Sequence, residues 1–218
     1  MPTVTAIEPQ KRKEKRFNIF LDGKFAFGAS DLVLLEEGLK VGKIIKAEEV
    51  AKIIQKEQGT KLLDLATNFL SFRSRSEKEV RDYLIKKISS RENIKFTLAS
   101  QSPLVSIVIA KLKKYQYLDD LQFARWFLAS RLRSRPKGLS LIKLELKKKG
   151  ISQDIIDSVF DRPYKESDLA KKAIEKRIAR WHSLPDLEFK KKFYQYLAAR
   201  GFSYDTIKET FAFFTKKR

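Results

Sequence analysis

The sequence predicts a mainly α fold: tandem three-helix repeats in an elongated, solenoid-like array, preceded by a small N-terminal β-hairpin module. Three observations carry this. Glycine-centred helix endings recur in step along the chain, at Gly150 and Gly201. Helix-starting caps stand at Ser76 and Asp119, and in matching places at Ser152 and Ser203. An Asp22-Gly23 pair lies between two apolar stretches near the start.

The N-terminal elements come first. Arg16 to Leu21 and Lys24 to Gly28 flank Asp22-Gly23, a two-residue type I′ hairpin signal. Thr3 to Ile7 supplies a third strand. The run Gln10-Lys-Arg-Lys-Glu-Lys-Arg16 reads either as a basic loop against DNA or as a solvated charge run. Ser30 caps a short helix ending near Gly38, and Lys46 to Glu57 forms another. Residues 1–58 are expected to make a β-rich module with two short helices.

The first repeat, residues 59–104, opens with a helix over 59–72. Ser76 and Glu79 then make a capping box for its second helix. Ser89 to Pro103, rich in Ser, Asn and Gln, reads as a loop with a turn of helix. The second repeat, 105–161, begins with helical spacing over Val105 to Tyr115. Asp119 is the N-cap of the next helix, with Gln122 at N3 reaching back and Leu118 and Phe123 stapling across the cap. Gly150 stands where a helix must turn left-handed, with Leu146 at C3 and Ile151 at C″, the contact of a Schellman ending. Ser152 caps the following helix, and Ile151 meets Ile156. In the third repeat, 162–218, Ser167 to His182 carries an apolar stripe of Ala170, Ala173, Ile174, Ile178 and Trp181, with basic residues largely on other faces.

The repeat itself is visible without gaps. Leu146 to Phe160 aligns with Leu197 to Phe211, and Leu, Gly, Ser, Asp, Ile and Phe coincide at six of fifteen places. Chance does not readily put the C3 Leu, the C′ Gly, the N-cap Ser and the N4 Ile in step. A fainter copy starts at Ser76, so the period is about fifty residues, within the range of solenoid units.

Composition bounds the function classes. The chain has 218 residues with 43% hydrophobic content, enough for a packed core. No apolar run approaches the ~20 residues of a membrane helix, and the N-terminus lacks the pattern of a signal peptide. With no Cys, disulfides and thiolate metal ligands are absent, which fits a cytoplasmic protein. The formal net charge is +20, and it rises along the chain: +2 for 1–58, +4 for 59–104, +6 for 105–161 and +8 for 162–218. A sustained basic excess on a folded chain points to nucleic acid.

No catalytic constellation stands out, so the chain is not expected to be an enzyme or to hold a cofactor or metal. His182 is the lone histidine and reads as a cap or partial core residue. Asp119 is explained by capping, and Asp120 suits the positive first turn of a helix. Gly38-Leu-Lys-Val-Gly-Lys43 has three residues between its glycines rather than four, and Ile44 stands where a phosphate loop needs Ser or Thr. The basic clusters remain. Arg73 and Arg75 precede one cap. Arg131, Arg133, Arg135 and Lys137 precede the aligned helix of the next repeat, so both clusters are expected on one edge. Lys147, Lys148 and Lys149 end a helix, and Arg177 and Arg180 lie on the long helix of the third repeat. Arginine meets phosphate bidentately, which favours the arginines of this set as phosphate contacts.

Tyr117-Leu-Asp-Asp120, Phe123-Ala124, Lys137-Gly138, Glu145-Leu146 and Lys149-Gly-Ile151, with Phe72-Arg-Ser-Arg-Ser-Glu-Lys-Glu79 before them, resemble the RecX family; the match extends to Ile19-Phe-Leu-Asp-Gly-Lys-Phe-Ala-Phe-Gly28. The resemblance implies tandem three-helix repeats. It also implies a non-enzymatic regulator that binds the RecA recombinase and its filament on DNA and restrains recombination and coprotease functions in DNA repair and the SOS response. The implied partners are RecA and single- or double-stranded DNA, with a monomeric chain and no membrane. The 89–104 segment is longer than the family pattern, and the last repeat is diverged. The alternative is a helix-turn-helix transcription regulator. Its reading helix would be Gln153 to Val159, which is acidic and apolar and ill suited to base edges.

Overall fold

The structure, a computed structural model, describes residues 1–10, 15–134, 136–181 and 183–216. Among them, three strands and eleven helices follow in the order βββ then α throughout. The sheet is antiparallel, β1 (Val4–Pro9), β2 (Arg16–Leu21) and β3 (Lys24–Ser30) lying side by side in that order. Asp22 and Gly23 both have positive φ, 47° and 76°, which makes the β2–β3 turn type I′ as expected. Alternation puts Val4, Ile19, Phe27 and Ala29 on the inner face, against Val33, Leu39, Ile45 and Ile53.

The chain divides into two compact units. The first comprises Met1–Phe72 and Arg81–Tyr117, and the second Arg73–Val80 and Leu118–Arg218. In the first unit, α1 (Asp31–Glu36) is capped by Ser30, whose hydroxyl accepts from the Val33 amide at 3.4 Å. The two helices expected on either side of residue 58 are one helix, α2 (Ala47–Ser71). Gly59 lies inside it, where Gly costs about 1 kcal/mol against Ala without ending the helix. Buried Glu57 anchors this helix to the sheet: it accepts from Arg16 at 2.5 Å and from the Ser30 amide at 2.9 Å.

The next helix, α3 (Glu77–Glu92), also runs further than expected and takes Ser89 and Ser90 from the predicted loop. It stops where Asn93 turns left-handed (φ 52°) and the Ile94 amide reaches back to Ser89. A single turn, α4 (Phe96–Ala99), leads into α5 (Pro103–Lys114), started by its N1 proline. Expected as the opening of the second repeat, α5 packs against α2 in the first unit. It ends in a Schellman turn on Gln116 (φ 60°), with Tyr117 bonded to Leu112 and Gln116 to Lys113.

The second unit holds α6 (Asp120–Ser134), α7 (Leu139–Lys148), α8 (Gln153–Val159), α9 (Glu166–Trp181), α10 (Asp186–Ala198) and α11 (Tyr204–Thr215), plus the first turn of α3. Asp119 caps α6 by accepting from Leu121 and Gln122 at 2.8 and 3.0 Å. The Schellman endings at Gly150 (φ 83°) and Gly201 (φ 77°) are in place: Ile151 bonds to Leu146, and Phe202 to Leu197. Ser203 caps α11 through its hydroxyl, whereas Ser152 holds the N-cap backbone shape without a side-chain cap bond. Each three-helix set has its own core, one around Phe123, Ile142, Leu146 and Ile156, the other around Ile174, Phe193, Leu197 and Ile207. Of the expected stripe on α9, Ala170 and Ile174 are fully buried and Ala173, Ile178 and Trp181 pack at the edge of that core. His182 lies outside the described residues, as do Lys11 to Glu14 of the basic run.

Candidate functional site

The second unit is stacked by a device that recurs twice. At the first joint the Ser76 hydroxyl, at the start of α3, donates to the Lys149 carbonyl at the end of α7, at 2.7 Å. At the second joint the Gly138 amide, at the start of α7, donates to the Arg200 carbonyl at the end of α10, at 2.9 Å. In each case the N-terminus of one middle helix meets the glycine turn of the next. The fit is tight. A Cβ on Gly150 would come within 2.7 Å of the Lys78 Cβ, and one on Gly138 would overlap the Gly201 carbonyl.

An acid from the next repeat completes each joint. Asp120, first residue of α6, accepts from the Glu77 amide at 2.8 Å, and Glu166, first residue of α9, accepts from the Leu139 amide at 2.6 Å. The amides they bind are orphan donors at a helix N-terminus, where a carboxylate is also favoured by the dipole. Asp120 was expected to serve its own helix; it caps its neighbour's as well. Sequence carries a faint signal for this pair, since both are acids at the first position of a repeat's first helix.

The predicted cations divide into two groups on this scaffold. Arg73 is held by Glu79 at 3.0 Å, and Lys149 by the same carboxylate at 2.7 Å. Arg131 is held by Glu145 at 2.8 Å, and Lys137 bonds to the other oxygen of Glu145. Arg131 and Lys149 also lie over the Phe127 ring, at 4.5 and 5.7 Å. These four cations are thus paired within the fold, two on each of two half-buried carboxylates. Burial alone would raise the Glu79 pKa, but the bonds from Arg73 and Lys149 outweigh it and hold the carboxyl at about 2. Glu145 is likewise lowered, by Lys137 and Arg131 acting against burial. Arg75 is half-buried and has a partner.

The second group faces solvent. Arg133, Lys147 and Lys148 are exposed at the ends of α6 and α7, and Arg177 and Arg180 are exposed on α9. Arg177 sits over the Tyr196 ring at 5.6 Å, and Arg200, absent from the predicted set, lies over the same ring at 4.2 Å. Arg135 lies outside the described residues. The two expected arginine clusters are thus partly spent on internal pairing. Reasoning on the sequence missed the partners because Glu145 stands fourteen residues from Arg131 and Glu79 seventy from Lys149. Among the described residues no cluster of His, Asp or Glu is arranged to hold a metal, and no helix is long and apolar enough to cross a membrane.

Comparison with known proteins matches this layout in its sheet module and its three helical repeats. Four family models fall on the chain in order: the regulatory protein RecX N-terminal domain on residues 2–46, and the first, second and third RecX three-helix domains on 63–94, 119–159 and 165–211. Regulatory protein RecX of Bacillus pumilus is 34% identical over 209 residues, covering 95% of this chain and 75% of that protein. Regulatory protein RecX of Bacillus velezensis is 35% identical over 212 residues with the same coverage. A crystal structure of regulatory protein RecX superposes with a TM-score of 0.66 at 27% identity, covering 96% of this chain and 98% of its own. RecX from Lactobacillus salivarius superposes with a TM-score of 0.54 at 26% identity, over 72% of this chain and 96% of its own. With the sheet module, the three helical repeats and about a third of the residues shared across nearly the whole length, the chain belongs to the RecX family.

Proposed function

We propose that the protein is a non-enzymatic regulator of the RecA recombinase that binds along the RecA–DNA filament and inhibits it. One observation carries the reading. The repeats of the second unit are joined by hydrogen bonds to backbone groups at helix ends, and they expose cations that their own acids leave unneutralised. Such a surface suits a ligand that repeats along its length, where weak contacts add by avidity. Arg133, Lys147, Lys148, Arg177 and Arg180 are the residues offered to DNA phosphate, with Arg200 beside them. The stacked, half-buried group of Arg73, Arg131, Lys137 and Lys149 shapes that surface instead of contacting DNA. A monomer acting in the cytoplasm, where RecA works, in recombination, DNA repair and the SOS response, completes the reading. A transcription regulator is disfavoured by α8, only seven residues long and bearing Asp154 and Asp157.

The test is a titration of RecA ATP hydrolysis on single-stranded DNA. Inhibition is expected at amounts well below one copy per RecA subunit, because one blocker at a growing end stops many later additions. Inhibition that needs strand-coating amounts and vanishes with extra DNA would replace filament binding with masking of DNA.

A further inference from the structure

Within the second unit, α6 and the segment after α8 enclose an open cleft of about 510 Å³. This lies within the range of ligand-binding clefts. Leu128, Leu132 and Val159 make an aliphatic floor, and Ala129 leaves room at the lip. Arg125 from α6 and Arg162 from the α8–α9 segment stand on the rim, both exposed. Neither has an ion-pair partner among the described residues, unlike Arg73 and Arg131. Neither belongs to the basic clusters that the sequence singles out.

We infer that this cleft receives an acidic peptide segment of a partner protein, with an apolar side chain on the floor and flanking carboxylates on Arg125 and Arg162. Three features suit this occupant. The floor of Leu128, Leu132 and Val159 is aliphatic, which suits an apolar side chain. Asp161 shares the rim, where it can accept from a peptide amide between the two arginines. The Ser158 hydroxyl donates to the Ile155 carbonyl at 2.8 Å, which leaves its oxygen free to accept from a peptide N–H. Two guanidinium groups on the rim match two carboxylates bidentately. The inference does not depend on RecA being the partner.

The test uses the full chain and three fluorescein-labelled probes: a short Asp/Glu peptide with a central Leu-Phe pair, the same peptide with Ser-Ser at the centre, and oligo-dT. The first peptide should bind, and the Ser-Ser peptide should bind about tenfold more weakly, a difference of about 1.4 kcal/mol. Arg125→Ala with Arg162→Ala, and separately Ala129→Trp, should each weaken the first peptide about tenfold or more while leaving oligo-dT within about twofold. All three positions are exposed, so unchanged melting curves are expected; Ala129→Leu serves as the plug if the larger ring disturbs the fold. No binding of the first peptide, equal binding of the two peptides, or variants that weaken only oligo-dT would each overturn the assignment.

Discussion

Replacing Gly138 by Ala should loosen the second joint. The backbone of Gly138 is ordinary, with φ −61° and ψ 145°, so a methyl group adds no conformational strain there. What it meets is the Gly201 peptide, whose carbonyl carbon and oxygen occupy the place of the new Cβ. The neighbour is backbone and cannot rotate aside. Overpacking of this kind costs about 1–3 kcal/mol. Separating the turns also breaks the Gly138–Arg200 bond, worth about 1 kcal/mol. The total is about 2–4 kcal/mol, or roughly 5–15 °C in Tm for a chain of this size. Both tryptophans, Trp126 and Trp181, belong to the second unit, so their fluorescence follows its melting alone. Ser152→Ala is the control: its hydroxyl makes no cap bond, and a shift of no more than about 1 °C is expected. A Gly138→Ala protein that melts with the control would refute the account of the joint.

Three further outcomes are expected. Gly150→Ala should cost about 2 kcal/mol by the same readout, because φ is 83° and Lys78 presses on the position. Glu79→Gln should cost about 1–3 kcal/mol at neutral pH. Because the folded Glu79 carboxyl titrates at about 2 instead of the ordinary 4.5, its stabilisation is complete above about pH 4.5 and is lost as pH falls towards 2, so denaturation of native and variant chains should converge over that window. Changing Arg133, Lys147 and Lys148 together to Ala should lower the slope of log affinity for duplex DNA against log salt by up to about 3, whereas Arg131→Ala should leave that slope nearly unchanged and lower Tm instead.

Local chemistry made much of this fold legible before the structure. The endings at Gly150 and Gly201 were readable because only Gly takes positive φ cheaply, and the I′ turn at Asp22-Gly23 for the same reason. The equivalent turn at Gln116 escaped notice because glutamine does not announce the conformation, and that at Asn93 because asparagine signals it more weakly than Gly. Gly59 misled in the other direction, since packing on both sides of it keeps α2 whole. For the site, sequence located the cations but not their pairing. Whether Arg131 meets solvent depends on Glu145 one helix later, and the Arg125–Arg162 cleft exists only once α6 and the segment after α8 are brought together.

The two joints give the stack a direction. Each unites the beginning of one middle helix with the end of the next, so a repeat has a front that grips and a back that is gripped. The last repeat differs at that front. Matching Leu197 to Leu146 puts Phe189 where Gly138 stands, and α10 begins four residues earlier, at Asp186. Phe189 is buried in its own core and presents no such socket. Ser76 and Gly138 work as sockets because they are small. The size of the residue at this one helix position therefore decides whether a helix start can seat a neighbour's glycine turn.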